Sequence, residues 1–396
     1  MLKSIKVSNF YSIGEEQEIS LEITPKDIMD DSAKQTEKNL ALNLVSCVIG
    51  HNASGKTTLL KAITFLCWFI QHSYSGTKDE QDIPVKAHKL KKDDPTTIEV
   101  EFLNHGTLYK YRIKFNRKEV MEEVLWKKNV RMTRVFKLIR NEGKTEVETK
   151  IKINETDMDR FKKRSNVALL SCLIDTGYLS DIYFFKRFES NVTERGLINR
   201  NYVSSFLSTS KLLYENEMER NQILEFSKNI DLGIYDFRFL EITLQNSEGD
   251  EKKQVLQCVH KSEKVDFSLG LFEESNGTQQ SFSILSEVLP ILKTGGLIVL
   301  DEIESGLHPL VAKKIISLFE SKEENLHNAQ LIFSTHQHLL LNDRTKTQIF
   351  LAEKDGQTFE TEIYRLDDVE GVRNDENYFH KYIAGAYGGT PRIDWF

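Results

Sequence analysis

Cysteine is scarce in this chain. The four cysteines, Cys47, Cys67, Cys172 and Cys258, lie far apart and form no C-x-x-C pair. They read as reduced, buried, small apolar residues of a cytoplasmic protein. Long apolar runs are missing too. The longest, around Phe65 to Ile70, is far too short to span a bilayer. The first residues, Met1 to Val7, lack the apolar segment of a signal peptide. Excess positive charge is also absent: 53 basic residues face 60 acidic ones, a net charge of −7, so no global field draws the chain to nucleic acid. Any DNA contact must come from a local basic patch. No heptad repeat persists, which excludes a long coiled coil. What remains is a polar but globular chain of 396 residues, enough for two to three domains or one domain with a large insertion.

Period-two alternation predicts strands at 2–8 and 17–23, joined by a tight connection at Asn9 to Gly14. Residues 25–40 read as an exposed polar loop. Residues 74–95 read as irregular and rich in lysine. Ile98–Phe102 and Tyr109–Phe115 alternate around Asn104-His105-Gly106, a hairpin signal. Strand-like pieces continue to about residue 153. From 155 to 230 the pattern turns helical, and strands return at Tyr235–Leu244 and Val255–His260.

The stretch around which the chain is organised is Gly50-His51-Asn52-Ala53-Ser54-Gly55-Lys56-Thr57-Thr58. It fits G-x-x-x-x-G-K-[ST], a phosphate-binding P-loop. The buried strand Leu44–Ile49 precedes it and an apolar-striped helix follows, the context that separates a P-loop from a chance glycine turn. Gly50 and Gly55 let backbone N–H groups approach an anion. Lys56 is expected to reach the β- and γ-phosphates, and Thr57 to hold Mg²⁺.

The last third carries acids at strand ends. Gly295 to Glu302 is an apolar strand ending in Asp301 and Glu302. Asp301 is expected beside the P-loop in a parallel sheet, holding Mg²⁺ through water, and Glu302 to orient or deprotonate a water. Leu331–His336 is another buried strand, placing His336 at the same edge. Glu274-Ser275-Asn276-Gly277-Thr278 precedes an apolar helix, with Ser275 a good helix cap.

Together these motifs resemble an ABC-type ATPase head, and more narrowly the RecF/SMC/OLD branch. Ile5 to Phe10 resembles that branch's opening strand and turn, and Leu300 to Pro309 its Walker B and D-loop. The Leu307-His308-Pro309 ending resembles stand-alone heads of the RecF-like, OLD and RloA-like kinds, and the compact length, the signature Glu274 to Thr278 and the tail Tyr382 to Pro391 are most similar to the RloA-like heads of bacterial defence. The resemblance implies an α/β P-loop NTPase of ABC type with a mixed sheet, an antiparallel β lobe plus a parallel core, and a mostly helical insertion. It divides the chain into 1–72 and 231–345 as the ATPase head, 73–154 as the β lobe, 155–230 as the insertion, and 346–396 as a C-terminal subdomain or partner contact.

The resemblance also implies roles. Gly50 and Asn52 to Thr58 would bind ATP, with Mg²⁺ on Thr57 and Asp301. Lys56, Glu302 and His336 would be catalytic. Ser275, Asn276, Gly277 and Thr278 would meet the nucleotide of a second copy, and Glu304, Ser305 and Gly306 would form the D-loop across the seam. Two departures stand out: Asn276 replaces a glycine, and neither Gln71 nor Gln81 is well placed as a Q-loop glutamine. The expected partners are a homodimer or larger homo-oligomer through the ATP sites and a nuclease-like effector, with no membrane. The alternative is a RecF-like repair factor. For it, Lys127, Lys128, Arg131, Arg134, Lys137 and Arg140, near Trp126, would track DNA, helped by Arg160 and Lys162 to Arg164.

Overall fold

Alternation of apolar and polar residues, interrupted at bulges, builds the first sheet. Its strands are β1 (Leu2–Ser8) and β2 (Gln17–Ser20), then β7 (Thr96–Asn104), β8 (Thr107–Phe115), β9 (Val120–Lys128), β10 (Met132–Asn141) and β11 (Lys144–Thr149). They run in the order β11-β10-β9-β8-β7-β1-β2, every pair antiparallel. The β7–β8 turn holds His105 at φ 49 and Gly106 at φ 74, the left-handed pair of a type I′ hairpin. The computed structural model describes residues 1–25, 32–35, 40–141, 143–193, 202–230, 232–246 and 249–391.

The strand expected over 17–23 breaks after Ser20. Its end, β3 (Glu22–Ile23), joins a small sheet with β4 (Ala33–Gln35) and β5 (Ala41–Asn43). The expected loop at 25–40 therefore contains a strand; positions 26–31 and 36–39 lie outside the described residues.

Short, wholly apolar strands make the second sheet. β6 (Val45–Ile49) leads to the long helix α1 (Lys56–Gly76). The other strands of its sheet come from far along the chain: β12 (Phe188–Ser190), β16 (Leu297–Leu300), β17 (Gln330–Ser334), β18 (Ile349–Lys354) and β19 (Thr361–Arg365). The order is β12-β16-β17-β6-β18-β19, parallel except for β19. Strands buried on both faces must feed two cores. Val48, Val299 and Ile332 point into the core shared with α1 and the first sheet. Cys47, Ile298, Leu300 and Phe333 point into the opposite core. That second core is closed by α6 (Asn276–Thr294) and α7 (Pro309–Glu320).

The stretch 155–230 carries α2 (Glu155–Lys163), α3 (Leu169–Asp175), α4 (Tyr202–Glu215) and α5 (Glu217–Asn229). It is not only an insertion, because β12 inside it forms the edge of the parallel sheet. β13 (Ile234–Asn246), β14 (Gly249–His260) and β15 (Phe267–Gly270) form a separate antiparallel sheet leading into α6, and α8 (Tyr378–Ile383) comes last. Among the described residues, no helix is long and apolar enough to cross a membrane. All four cysteines are free and buried.

Candidate functional site

The loop between β6 and α1 is shaped by positions where a side chain cannot fit. Gly55 has φ 110, and a Cβ there would lie 2.1 Å from Thr361 Oγ1. A Cβ on Gly50 would meet the Ala352 carbonyl oxygen at 2.3 Å. Ala53 also takes a positive φ, 64. Asn52 and Ala53 are exposed, whereas Ser54, Lys56 and Thr58 are buried. The Lys56 ammonium donates to the carbonyl oxygens of Gly50 at 2.9 Å and His51 at 3.1 Å. Hydroxyls brace the loop from behind. Thr361 Oγ1 lies 3.0 Å from the Ser54 carbonyl oxygen and 2.8 Å from Ser12 Oγ, and Ser12 Oγ lies 2.9 Å from Thr58 Oγ1.

The acids sit at the carboxyl end of the same sheet. One strand, β17, stands between β6 and β16, so Asp301 faces the loop from two strands away rather than from the adjacent one. Asp301 is buried, and Ser334 Oγ donates to its Oδ1 at 2.5 Å. The same Ser334 oxygen accepts from the Glu302 N–H at 2.8 Å. Asn191, following β12, embraces the Asp301 backbone, accepting from its N–H at 2.8 Å and donating to its carbonyl at 2.9 Å. Glu302 is held at φ 49, a strained backbone for a non-glycine residue. Glu304 Oε1 accepts from the His336 N–H at 2.5 Å, and the His336 side chain is exposed.

Electrostatics place these groups together. Burial lowers the Lys56 ammonium below the ordinary lysine range, while Asp301, Glu302 and Glu304 oppose the shift. His338 is lowered by burial, then by His336 and Lys56. The other Asp301 oxygen, Oδ2, is buried without a hydrogen-bond partner. A buried, unpaired carboxylate oxygen facing a loop that also offers the Thr57 hydroxyl fits a hydrated divalent cation. Among the described residues there is no cluster of three or more His, Cys, Asp or Glu of the kind that cages a metal by itself. Asp301 and Thr57 thus suit Mg²⁺ carried in with phosphates.

A cleft of about 530 Å³ opens beside the loop, within the usual range for a ligand site. Gly55 to Thr58 form one wall, and Tyr11, Lys86, Leu90 and Phe359 stand across it. The Tyr11 ring has the Lys61 ammonium 5.1 Å and the Lys86 ammonium 5.7 Å from its centre. Sequence reasoning missed Tyr11, Ser12, Thr361 and Asn191. The tight turn at Asn9 to Gly14 and the lysine-rich run at 86–92 were the available signals.

The signature lies outside that cleft. Ser275 caps α6, accepting from the Thr278 N–H at 3.1 Å, and both Ser275 and Asn276 are exposed. Thr278 is buried. A Cβ on Gly277 would come within 3.1 Å of the Gly306 carbonyl oxygen, so signature and D-loop adjoin in one chain. Ser305 donates its N–H to the Glu302 carbonyl at 2.8 Å, closing the turn between them.

The suspected DNA-tracking cluster is partly internal. Arg140 is buried, and its guanidinium donates to the carbonyls of Val120 at 2.8 Å and Arg164 at 3.1 Å. Arg134 pairs with Glu148, and Arg164 with Asp79. Lys6–Glu18 at 2.9 Å and Lys110–Glu99 at 2.7 Å give the outer face of the first sheet mixed charge. Gln71 donates to the Phe185 carbonyl and Gln81 accepts from the Lys78 N–H, so neither turns toward the acids.

A P-loop between a parallel strand and a helix, with acids at the same end of the sheet, defines a P-loop NTPase fold. The chain belongs to the family described as "AAA domain, putative AbiEii toxin, Type IV TA system", whose model matches residues 45–342. Tyr11, Phe359 and Thr361 lie outside the matched residues. Among solved structures, the chain is similar to an SMC head bound to the C-terminal winged-helix domain of ScpA, at 13% identity, TM-score 0.45, and 92% and 96% coverage of the two chains. It is also similar to the SMC head domain from Thermotoga maritima, at 14% identity, TM-score 0.41, and 92% and 98% coverage. No curated protein sequence matches the chain.

Proposed function

We propose that this protein binds ATP with Mg²⁺ and hydrolyses it between paired copies, and that pairing regulates a nuclease-like effector in bacterial anti-phage defence. The observation that carries the reading is a division within one chain. Lys56, Asp301, Glu302 and Glu304 share one electrostatic site, while Ser275 and Asn276 are exposed outside its cleft. In this reading a second copy's Ser275 supplies a γ-phosphate contact.

In this reading Lys56 exchanges its loop carbonyls for the β- and γ-phosphates, and the loop N–H groups from Asn52 to Thr58 bind the remaining oxygens. Thr57 and Asp301 would hold Mg²⁺, which neutralises phosphate charge when bound. Glu302, its backbone fixed by Ser334, orients and deprotonates the attacking water. Asn191 fixes the Asp301 backbone from the end of the neighbouring strand. Glu304 ties the D-loop to His336, so that γ-phosphate contacts at His336 reach the seam. Residues 346–396 are the candidate contact for the effector. The family's description, which mentions a toxin–antitoxin system, accords with such a role.

Glu302→Gln tests the reading. It should bind ATP, lose hydrolysis by about a hundredfold or more, and accumulate as an ATP-bound dimer by sedimentation. A variant that stays monomeric with ATP and hydrolyses at the native rate contradicts it.

A further inference from the structure

His260 ends β14, and Glu274 immediately precedes the exposed Ser275. The two side chains meet, with His260 Nε2 at 2.8 Å from Glu274 Oε1. The other ring nitrogen, Nδ1, lies 3.0 Å from the Gly233 carbonyl oxygen. A carbonyl oxygen can only accept, and so can an ionised carboxylate. A neutral imidazole has one N–H and cannot donate to both. The arrangement holds one proton more than a neutral imidazole with a carboxylate, shared between His260 and Glu274.

The surroundings protect this pair. The His260 and Glu274 side chains are only 14% and 6% exposed, and the His260 ring stacks on Phe267 with centres 5.1 Å apart. Other charges nearby are turned elsewhere. Lys261 lies 3.3 Å over the Tyr235 ring, which Lys228 of α5 approaches at 5.4 Å. Glu273 accepts from the Gly270 N–H at 2.7 Å. Cys258 faces Glu274 as a thiol whose ionisation burial opposes. The Glu274 backbone is itself anchored, its carbonyl accepting from Gln279 Nε2 at 2.7 Å.

We propose that His260 is a positioning residue: the proton it shares with Glu274 holds the segment that presents Ser275 to a second copy, so presentation weakens when the imidazole gives that proton up. This rests on the paired-copy reading above. Losing one charge-assisted hydrogen bond loosens the segment roughly tenfold, the lower end of what such a bond is worth.

Glu274→Gln separates the proton from the packing. Its amide can donate to an unprotonated Nε2 while Nδ1–H keeps Gly233, so a neutral imidazole satisfies both contacts. The test is hydrogen exchange over Phe272 to Thr278 in the full chain without nucleotide, corrected for intrinsic pH dependence, at about pH 6 and about pH 8. Protection should fall roughly tenfold in the native chain and less than about twofold in Glu274→Gln, and His260→Ala should be unprotected at both. Equal protection in the native chain, or the same fall in Glu274→Gln, overturns the shared proton. ATP-dependent pairing is measured in parallel on the Glu302→Gln background. Pairing that is alike at both pH values, with exchange as expected, overturns the link to presentation. Absence of pairing at both pH values overturns the paired-copy reading, and the exchange result still decides the shared proton.

Discussion

Ser334 joins both acids through one hydroxyl, donating to Asp301 Oδ1 and accepting from the Glu302 N–H. Ser334→Ala should leave ATP affinity within about twofold and lower kcat by roughly ten- to a hundredfold, because the acids lose alignment and not charge. A loss confined to KM would contradict this. That Lys56, Asp301 and Glu302 lie near one another was legible, because a glycine-loop pattern and an apolar strand ending in acids are local marks. Ser334, Asn191 and Thr361 were not, since their partners lie 33, 110 and 307 positions away. Glu287 on α6 carries a different prediction. Burial, then the nearby Glu189 carboxylate, push its carboxyl from 4.5 up to about 7. The folded chain therefore holds a proton that the unfolded chain has released, and stability falls as pH rises through that window. Glu287→Gln should stabilise by on the order of 1–2 kcal/mol at about pH 8 and by little at about pH 4.5. Equal shifts in Tm at both pH values would contradict the assignment.

The strand–loop–helix unit from β6 to α1 was readable as a unit because apolar run, glycine loop and striped helix follow one another without interruption. β12 was not. Three residues, Phe188 to Ser190, carry no period, and their pairing with Leu297 to Val299 comes from the other half of the chain. The β18–β19 hairpin was also silent, yet it closes on the loop through Thr361. Gly55→Ala would drive a Cβ to 2.1 Å from Thr361 Oγ1 at φ 110, so ATP affinity should fall by at least about tenfold. Gly106→Ala is the control: it shares a positive φ, 74, but has nothing within 4 Å, and should cost about 1 kcal/mol of stability with affinity unchanged. Equal affinity in the two variants would remove the hairpin's role.

Across the whole molecule, β6 lies between β17 and β18, so the parallel sheet forms only when the two ends of the chain come together. The apolar runs of β6, β16 and β17 were legible, but which strand pairs with which was not, because long-range register leaves no local mark. The ATP reading carries this principle one level higher, from halves of a chain to halves of a pair. Mixing two inactive variants tests it most directly. Lys56→Ala lacks the phosphate lysine, and Ser275→Arg blocks the signature. In an equal mixture, half of the pairs are mixed, and each mixed pair keeps one complete pocket. The mixture should recover about a quarter of the native ATPase rate per chain. A mixture as inactive as either variant alone, although mixed pairs form, would contradict pockets shared between copies.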